Sequence, residues 1–441
     1  MVVAGRFALL CAVVTGPLLA QSVDGVDPRV DVVGDVVGDV IGDLVGRYRL
    51  VIESPGGSLP VQLELSKADR ELRAGVINGA ERIAIPQVIV GETLQLRFPH
   101  YDSEIVLEGT AESGFAGHWT KQRGRGKATR MKVRVDRQVQ RVAEPSASAT
   151  TPRADVAARL EAFLGRFAVQ FASSPDPAVA IFERSEGEGE GEAEAPMRGT
   201  FLTTLGDYRF LAGDLVGEEL RLSCFDGAHA FLFRARAEAT GELRGEFWSS
   251  DNWHETWTAK RDDTAALPDG FALSAAREGA DLAAVKVRDL SGNERFLDDP
   301  AWRGRPRIVE LFGSWCPNCH DHGAYLAELH RRYADRGLVV LGIAFEHDED
   351  FARSARQVAT FRDRHRIDYP LFLAGLSDKA KATVSLGILD QVRAFPTTLF
   401  LDGEGRIRRV YQGWTGPAAA ADHARLRERF ESVIEELLRD R

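Results

Sequence analysis

The sequence predicts a multidomain chain: two duplicated helix-plus-antiparallel-β modules followed by an α/β domain. Three observations point there. At 441 residues the chain is too long for one ordinary core. Compared with itself, residues 90–123 ("VGETLQLRFPHYDSEIVLEGTAESGFAGHWTKQR") align with 216–261, which begin "VGEELRLSCF" and end "NWHETWTAKR". Upstream, "GRYRLVIES" (46–54) aligns with "GRFAVQFAS" (165–173), so the same landmarks recur in the same order. From about Leu267 the pattern changes to alternating strand and helix.

Residues 1–20 read as an export signal. Arg6 supplies a positive start, and the apolar run "FALLCAVVTGPLLA" is too short to span a bilayer. Leu10 before Cys11 disfavours lipidation. No later segment is long and apolar enough for a membrane span, so an exported protein of the periplasm or cell envelope is expected, with no integral membrane segment once the signal is removed. Without Cys11, only Cys224, Cys316 and Cys319 remain, which is one close pair and one spare rather than a disulfide scaffold.

The first module is placed at 31–140. Its opening run, "DVVGDVVGDVIGDLVG" (31–46), resembles a linker by its glycines. However, Val37, Ile41, Leu44 and Val45 keep the i, i+4, i+7, i+8 spacing of Val156, Leu160, Phe163 and Leu164 in "DVAARLEAFLGRF" (155–167), which predicts a helix. In each module a strand meander follows, marked by alternation such as Leu94, Leu96 and Phe98 and by turns such as Pro55-Gly56-Gly57 in the first copy and Asp226-Gly227 in the second. The Ser/Thr/Pro-rich stretch at 141–154 is a linker. The second module, 155–262, carries an acidic Gly-rich insertion at 185–195. Trp248, Trp253 and Trp257 are read as packing aromatics, with Trp253 and Trp257 on one strand face. Cys224 reads as a small buried hydrophobe. The net charge of −10, from 66 acidic and 56 basic residues, gives no reason to expect nucleic acid. The basic stretch 121–137 lacks interleaved aromatics and reads as strands plus a turn.

The last domain, 267–441, carries the chemistry. "RPRIVELFGSW" (305–315) is an apolar strand, and Cys316-Pro317-Asn318-Cys319 follows it at the start of a helix lined by Tyr325, Leu326, Leu329 and Tyr333. A cysteine at a helix N-terminus has its thiolate stabilised by free N–H groups and the positive dipole end. Cys319 falls three residues on, on the same face. Cys316 is therefore the candidate nucleophile and Cys319 the resolving thiol. Pro317 suits the first helical turn.

Over residues 267–441 the chain resembles the TlpA/ResA-type thioredoxin-like thiol-disulfide oxidoreductases. The resemblance rests on "VELFGSWCPNCHD", "GLVVLGIAFE" and "RAFPTTLFLDGEGRI". It implies a thioredoxin-like fold and a cis Pro396 facing the dithiol. It also implies substrate contacts from Trp315, Phe395 and Pro396, and a buried acid, Glu310, able to take the Cys319 proton. It departs from the family at His322 and Ala324, where an acid and a proline are usual, and at Asn318. Pro317, Asn318 and His322 are candidate tuning residues, and redox direction stays open. The implied partners are protein thiols or disulfides and a membrane or soluble redox partner, with no cofactor and no metal.

Two rival readings of the motif remain. Cys316-Pro317-Asn318-Cys319-His320 also fits c-type haem attachment, although Met1, Met131 and Met197 all lie outside this domain, and His320 is otherwise expected to face solvent. Copper or zinc binding by Cys316, Cys319, His320 and His322 has good spacing in its first half only. "EHDED" (346–350) reads as acids opening a helix rather than as a metal patch.

Overall fold

The computed structural model describes residues 41–69, 71–124, 126–138, 158–185, 197–297 and 299–439. The expected signal at 1–20, the linker at 141–154 and most of the acidic insertion lie outside them. Of the run at 31–46, residues 41–44 are helical. The helix read over 155–167 is shorter than its spacing suggested. Residues 158–160 are helical and 161–163 form a turn, because Gly165 already opens a strand.

The first β region is a nine-stranded antiparallel meander, from Gly46–Ser54 to Ala128–Arg137. Its first and last strands pair, with Leu50 beside Val135. Strand Ala128–Arg137 shows why: Thr129, Met131, Val133 and Val135 are buried and their neighbours exposed, so one face makes a core and the other meets water. The two edge strands, Glu81–Ile85 and Gln87–Val90, are separated only by Pro86, so the sheet's edges meet there. A proline has no N–H for a ladder and ends pairing on both sides.

In the second β region, eight of nine strands close into a barrel. Ala178–Arg184 pairs with both Gly165–Phe171 and Met197–Thr203, and Gly165–Phe171 pairs with the last strand, Trp253–Arg261. Closure leaves no exposed ladder in those strands. Aromatic rings fill the interior: Phe233 stacks on Phe201 at 4.4 Å and on Phe247 at 4.3 Å, with Trp257 edge-on to Phe201. Trp257 belongs to this core, whereas Trp253 is 47% exposed. Cys224 is fully buried in the same core.

The two β regions join through buried polar contacts. Asn78 bonds both backbone groups of Phe225 at 3.0 Å, Ser103 Oγ donates to the Gly227 carbonyl, and Lys121 Nζ donates to the Ala228 carbonyl. Trp248 lies flat enough against Gly56 that a Cβ there would sit 2.3 Å from its ring.

The C-terminal domain is a seven-stranded sheet with helices around it. Its strand order is Glu294–Phe296, Lys286–Asp289, Leu371–Leu376, Val339–Glu346, Arg307–Phe312, Thr397–Leu401, Ile407–Gln412. The three central strands, 371–376, 339–346 and 307–312, are parallel, and the rest pair antiparallel. Arg307–Phe312 is buried along its whole length, as a central parallel strand must be. The helices Pro317–Tyr333, Phe351–His365, Lys379–Leu386 and Ala420–Arg439 cover it. Asp350 caps the second of these by accepting from the N–H groups of Ala352 and Arg353, which accounts for an acid in that patch. No helix among the described residues is long and apolar enough to cross a membrane.

Candidate active site

Strand Arg307–Phe312 delivers the chain into Gly313-Ser314-Trp315, and Cys316 is the N-cap of the helix that follows. Pro317 takes the first helical position, where its missing N–H costs nothing. Cys316 and Cys319 are free thiols, 8% and 0% exposed. The two are unlike. Cys316 is held below the usual thiol range, first by the Cys319 thiol on its sulfur, then by the Cys319 and Asn318 backbone N–H groups and the charge of Arg209. Cys319 is pushed well up, first by burial and then by Cys316 and the Glu310 carboxylate. The arrangement favours the thiolate on Cys316 over the thiolate on Cys319.

The Phe395-Pro396 peptide is cis and stands opposite the dithiol, with the Cys316 thiol 3.5 Å from the Phe395 carbonyl. Trp315 is half-buried. Its Nε1 donates to the Phe345 carbonyl and its ring stacks on His347 at 4.3 Å. A cleft of about 600 Å³ opens between Leu205 of the second β region, the Lys379–Leu386 helix and Gln391–Arg393.

Glu310 and His322 meet in the core. Both are 0% exposed, with His322 Nδ1 2.7 Å from Glu310 Oε1 and His322 Nε2 3.1 Å from Thr398 Oγ1. The sequence suggested a buried acid on the strand and, separately, a tuning residue at His322 on the helix. Instead the imidazole turns inward onto that acid. Glu310 Oε2 is buried and has no hydrogen-bond partner.

His320 does not face solvent as expected: it is 5% exposed. Its Nε2 donates to the Ser314 carbonyl at 2.8 Å, which leaves Nδ1 as acceptor for His365 Nε2 at 2.7 Å. Its ring packs edge-on against His100 and Tyr101 of the first β region. Both nitrogens that a haem or metal would need are thus engaged within the protein.

Two contributors escaped sequence reading. Glu346, read as part of a helix-opening acidic run, ends its strand buried and accepts from Ser314 N–H and Oγ at 2.8 and 2.7 Å, fixing the loop before Cys316. Burial pushes it up to about 7. Its position at the end of the apolar strand "LVVLGIAFE" was the available signal. Arg209 comes from the second β region, and nothing in its local sequence connects it to the dithiol.

The buried histidines set a pH dependence. Among the described residues, six histidines (His100, His229, His320, His330, His347 and His365) are shifted down, each first by burial. His100 falls to about 3, and His347 and His365 to about 4. Folded they stay neutral where the unfolded chain takes up protons, so their contribution is lost as pH falls below about 6.5. Glu81, Asp207 and Glu346, raised to about 7, 6 and 7, act in the opposite sense down to about pH 4.5. The histidines outnumber them. Stability measured by urea unfolding is therefore expected to fall from pH 6.5 to 5 by about 1–3 kcal/mol per unit, and more steeply below 4.5. A flat or rising profile there would contradict the neutral histidine cluster.

Residues 279–410 match the AhpC/TSA family. Thioredoxin-like protein YneN of Bacillus subtilis is 26% identical over 137 residues, which cover 31% of this chain and 72% of YneN. Thiol-disulfide oxidoreductase ResA of Geobacillus thermodenitrificans is 24% identical over 127 residues, covering 29% of this chain and 64% of ResA, just under two thirds of its length. A crystal structure of a thiol:disulfide interchange protein of the thioredoxin family from Chlorobium tepidum is similar at 18% identity and TM-score 0.26, covering 40% of this chain and 99% of that one. The C-terminal part of this chain is a thioredoxin-like domain of the AhpC/TSA family, similar in sequence to thiol-disulfide oxidoreductases.

Proposed function

We propose that this chain is an exported thiol-disulfide oxidoreductase acting on protein thiols or disulfides in the periplasm or cell envelope. The unlike thiol pair at the helix start carries the reading. In the reductive direction the Cys316 thiolate attacks one sulfur of a substrate disulfide, forming a mixed disulfide and releasing a substrate thiolate. Cys319 then gives up its proton to Glu310 Oε2 and attacks Cys316 Sγ. The second substrate thiol leaves and the Cys316–Cys319 disulfide remains; the oxidative direction is the reverse. The partner segment lies along Trp315, Phe395 and Pro396, opposite the dithiol. The domains are read as 31–140 and 155–262, copies of one unit, followed by 267–441. In support, both β regions are meanders whose first strand pairs with their last. Export rests on the composition of 1–20.

The test is equilibration of the purified protein in glutathione buffers, with thiols trapped and mapped by mass. A Cys316–Cys319 couple near about −270 mV would mark a reductant and one near about −120 mV an oxidant. If the two cysteines form no disulfide with each other across that range, the reading fails.

A further inference from the structure

The turn between strands Met197–Thr203 and Leu211–Val216 of the second β region is seated on the start of the dithiol helix. Asp207 faces Asn318, the second of the two residues between the cysteines. With the Asn318 amide oriented to suit its partners, its nitrogen donates to Asp207 Oδ1 at 3.0 Å and its oxygen accepts from Asp207 N at 3.3 Å. Asp207 Oδ2 accepts from Gly416 N at 2.6 Å, on the loop after strand Ile407–Gln412. Gly206 lies so close that a Cβ there would be 2.1 Å from the end of the Asn318 amide. Two residues further on, Arg209 holds positive φ, +63°, and its side chain is 9% exposed. Its guanidinium binds Asp321, in the second turn of the dithiol helix, and Glu81 of the first β region at 2.7 Å. One cation thus ties all three parts of the chain together beside Cys316.

That is an expensive arrangement to maintain. A non-glycine residue in the left-handed region and a buried guanidinium each cost free energy. A turn that only joined two strands of a barrel would need neither. The groups facing Arg209 are Glu81, Asp207, Asp226 and Asp321, more acid than base. Lys121 of the first β region and Lys379 also lie within electrostatic reach of Cys316.

We propose that the redox site is shared between domains, and that Arg209 is a positioning residue that fixes the dithiol helix and lends its charge to the Cys316 thiolate. This rests on the thiol chemistry proposed above. It makes the second β region part of the reactive site, with Asn318 already occupied by Asp207 and so withdrawn from substrate.

The test is the pH profile of Cys316 alkylation by iodoacetamide in the full chain, followed by mass. The midpoint reads the thiolate and the plateau reads access, so the two roles separate. Arg209→Gln is expected to raise the midpoint, leaving threefold to tenfold less thiolate at a pH below it, and to raise the plateau as the turn is freed. Arg209→Lys should restore the midpoint. An unchanged midpoint in folded Arg209→Gln overturns the proposal. Should that protein not fold, Glu81→Gln decides: removing an acid beside Arg209 is expected to lower the midpoint, and an unchanged or raised one overturns the proposal. Failure of the Cys316–Cys319 couple in glutathione buffer would sink the proposed function while leaving the alkylation profile readable.

Discussion

A Cys319→Ser protein is expected to stop at the mixed disulfide and hold its partner covalently through Cys316, whereas Cys316→Ser captures nothing and turns nothing over. The two thiols differ in charge and in access. Cys316 is lowered by the Cys319 thiol, by helix N–H groups and by Arg209, and it is the one with any exposure, 8% against 0%. Cys319 is raised by burial and by its charged neighbours, and can meet only a sulfur already bonded to Cys316. In Cys319→Ser the first attack proceeds, but the hydroxyl cannot displace the partner. Non-reducing electrophoresis followed by peptide mapping reads the trapped species. Capture through Cys319 in the Cys316→Ser protein would reverse the assignment.

His322→Leu is expected to destabilise the fold by about 3–5 kcal/mol, because it leaves the Glu310 carboxylate fully buried with neither oxygen paired. Exchanging both partners, Glu310→Leu with His322→Leu, is expected to recover most of that loss, since an apolar pair in this core of Phe430 and Trp414 strands no polar group. Urea midpoints of the two proteins against the parent give the comparison. A single substitution costing under about 1 kcal/mol would show that the pair is not held as the structure has it. If the double exchange folds well but resolves mixed disulfides slowly, the pair's value lies in proton transfer from Cys319 rather than in stability.

The legible parts of this protein are those governed by neighbours in the chain. The apolar strand at 307–312, the proline at the first helical position and the glycine at 337, which closes the 3-10 turn continuing the helix, are local signals. The alternation of Leu94, Leu96 and Phe98 likewise marked a strand buried on one face. The helix expected over 155–167 gives way to a turn after residue 160. The spacing of Leu160 and Phe163 suits a helix, but both side chains are equally buried by one turn ahead of a strand, and barrel closure claims Gly165 onward.

A dithiol at a strand-to-helix junction is legible in a handful of adjacent residues, and the cis Pro396 was implied by the family resemblance. Which groups surround the dithiol is set by packing between elements far apart in the chain. His320 is buried because Tyr101 and His100 arrive from more than two hundred residues away, and His322 turns inward because Glu310 and Thr398 sit on the strands beneath it. Arg209 reaches Asp321 across 112 positions of sequence. Charge and burial at a site depend on every element packed against it, and that sum is set when the domains dock, not by the residues on either side of a cysteine.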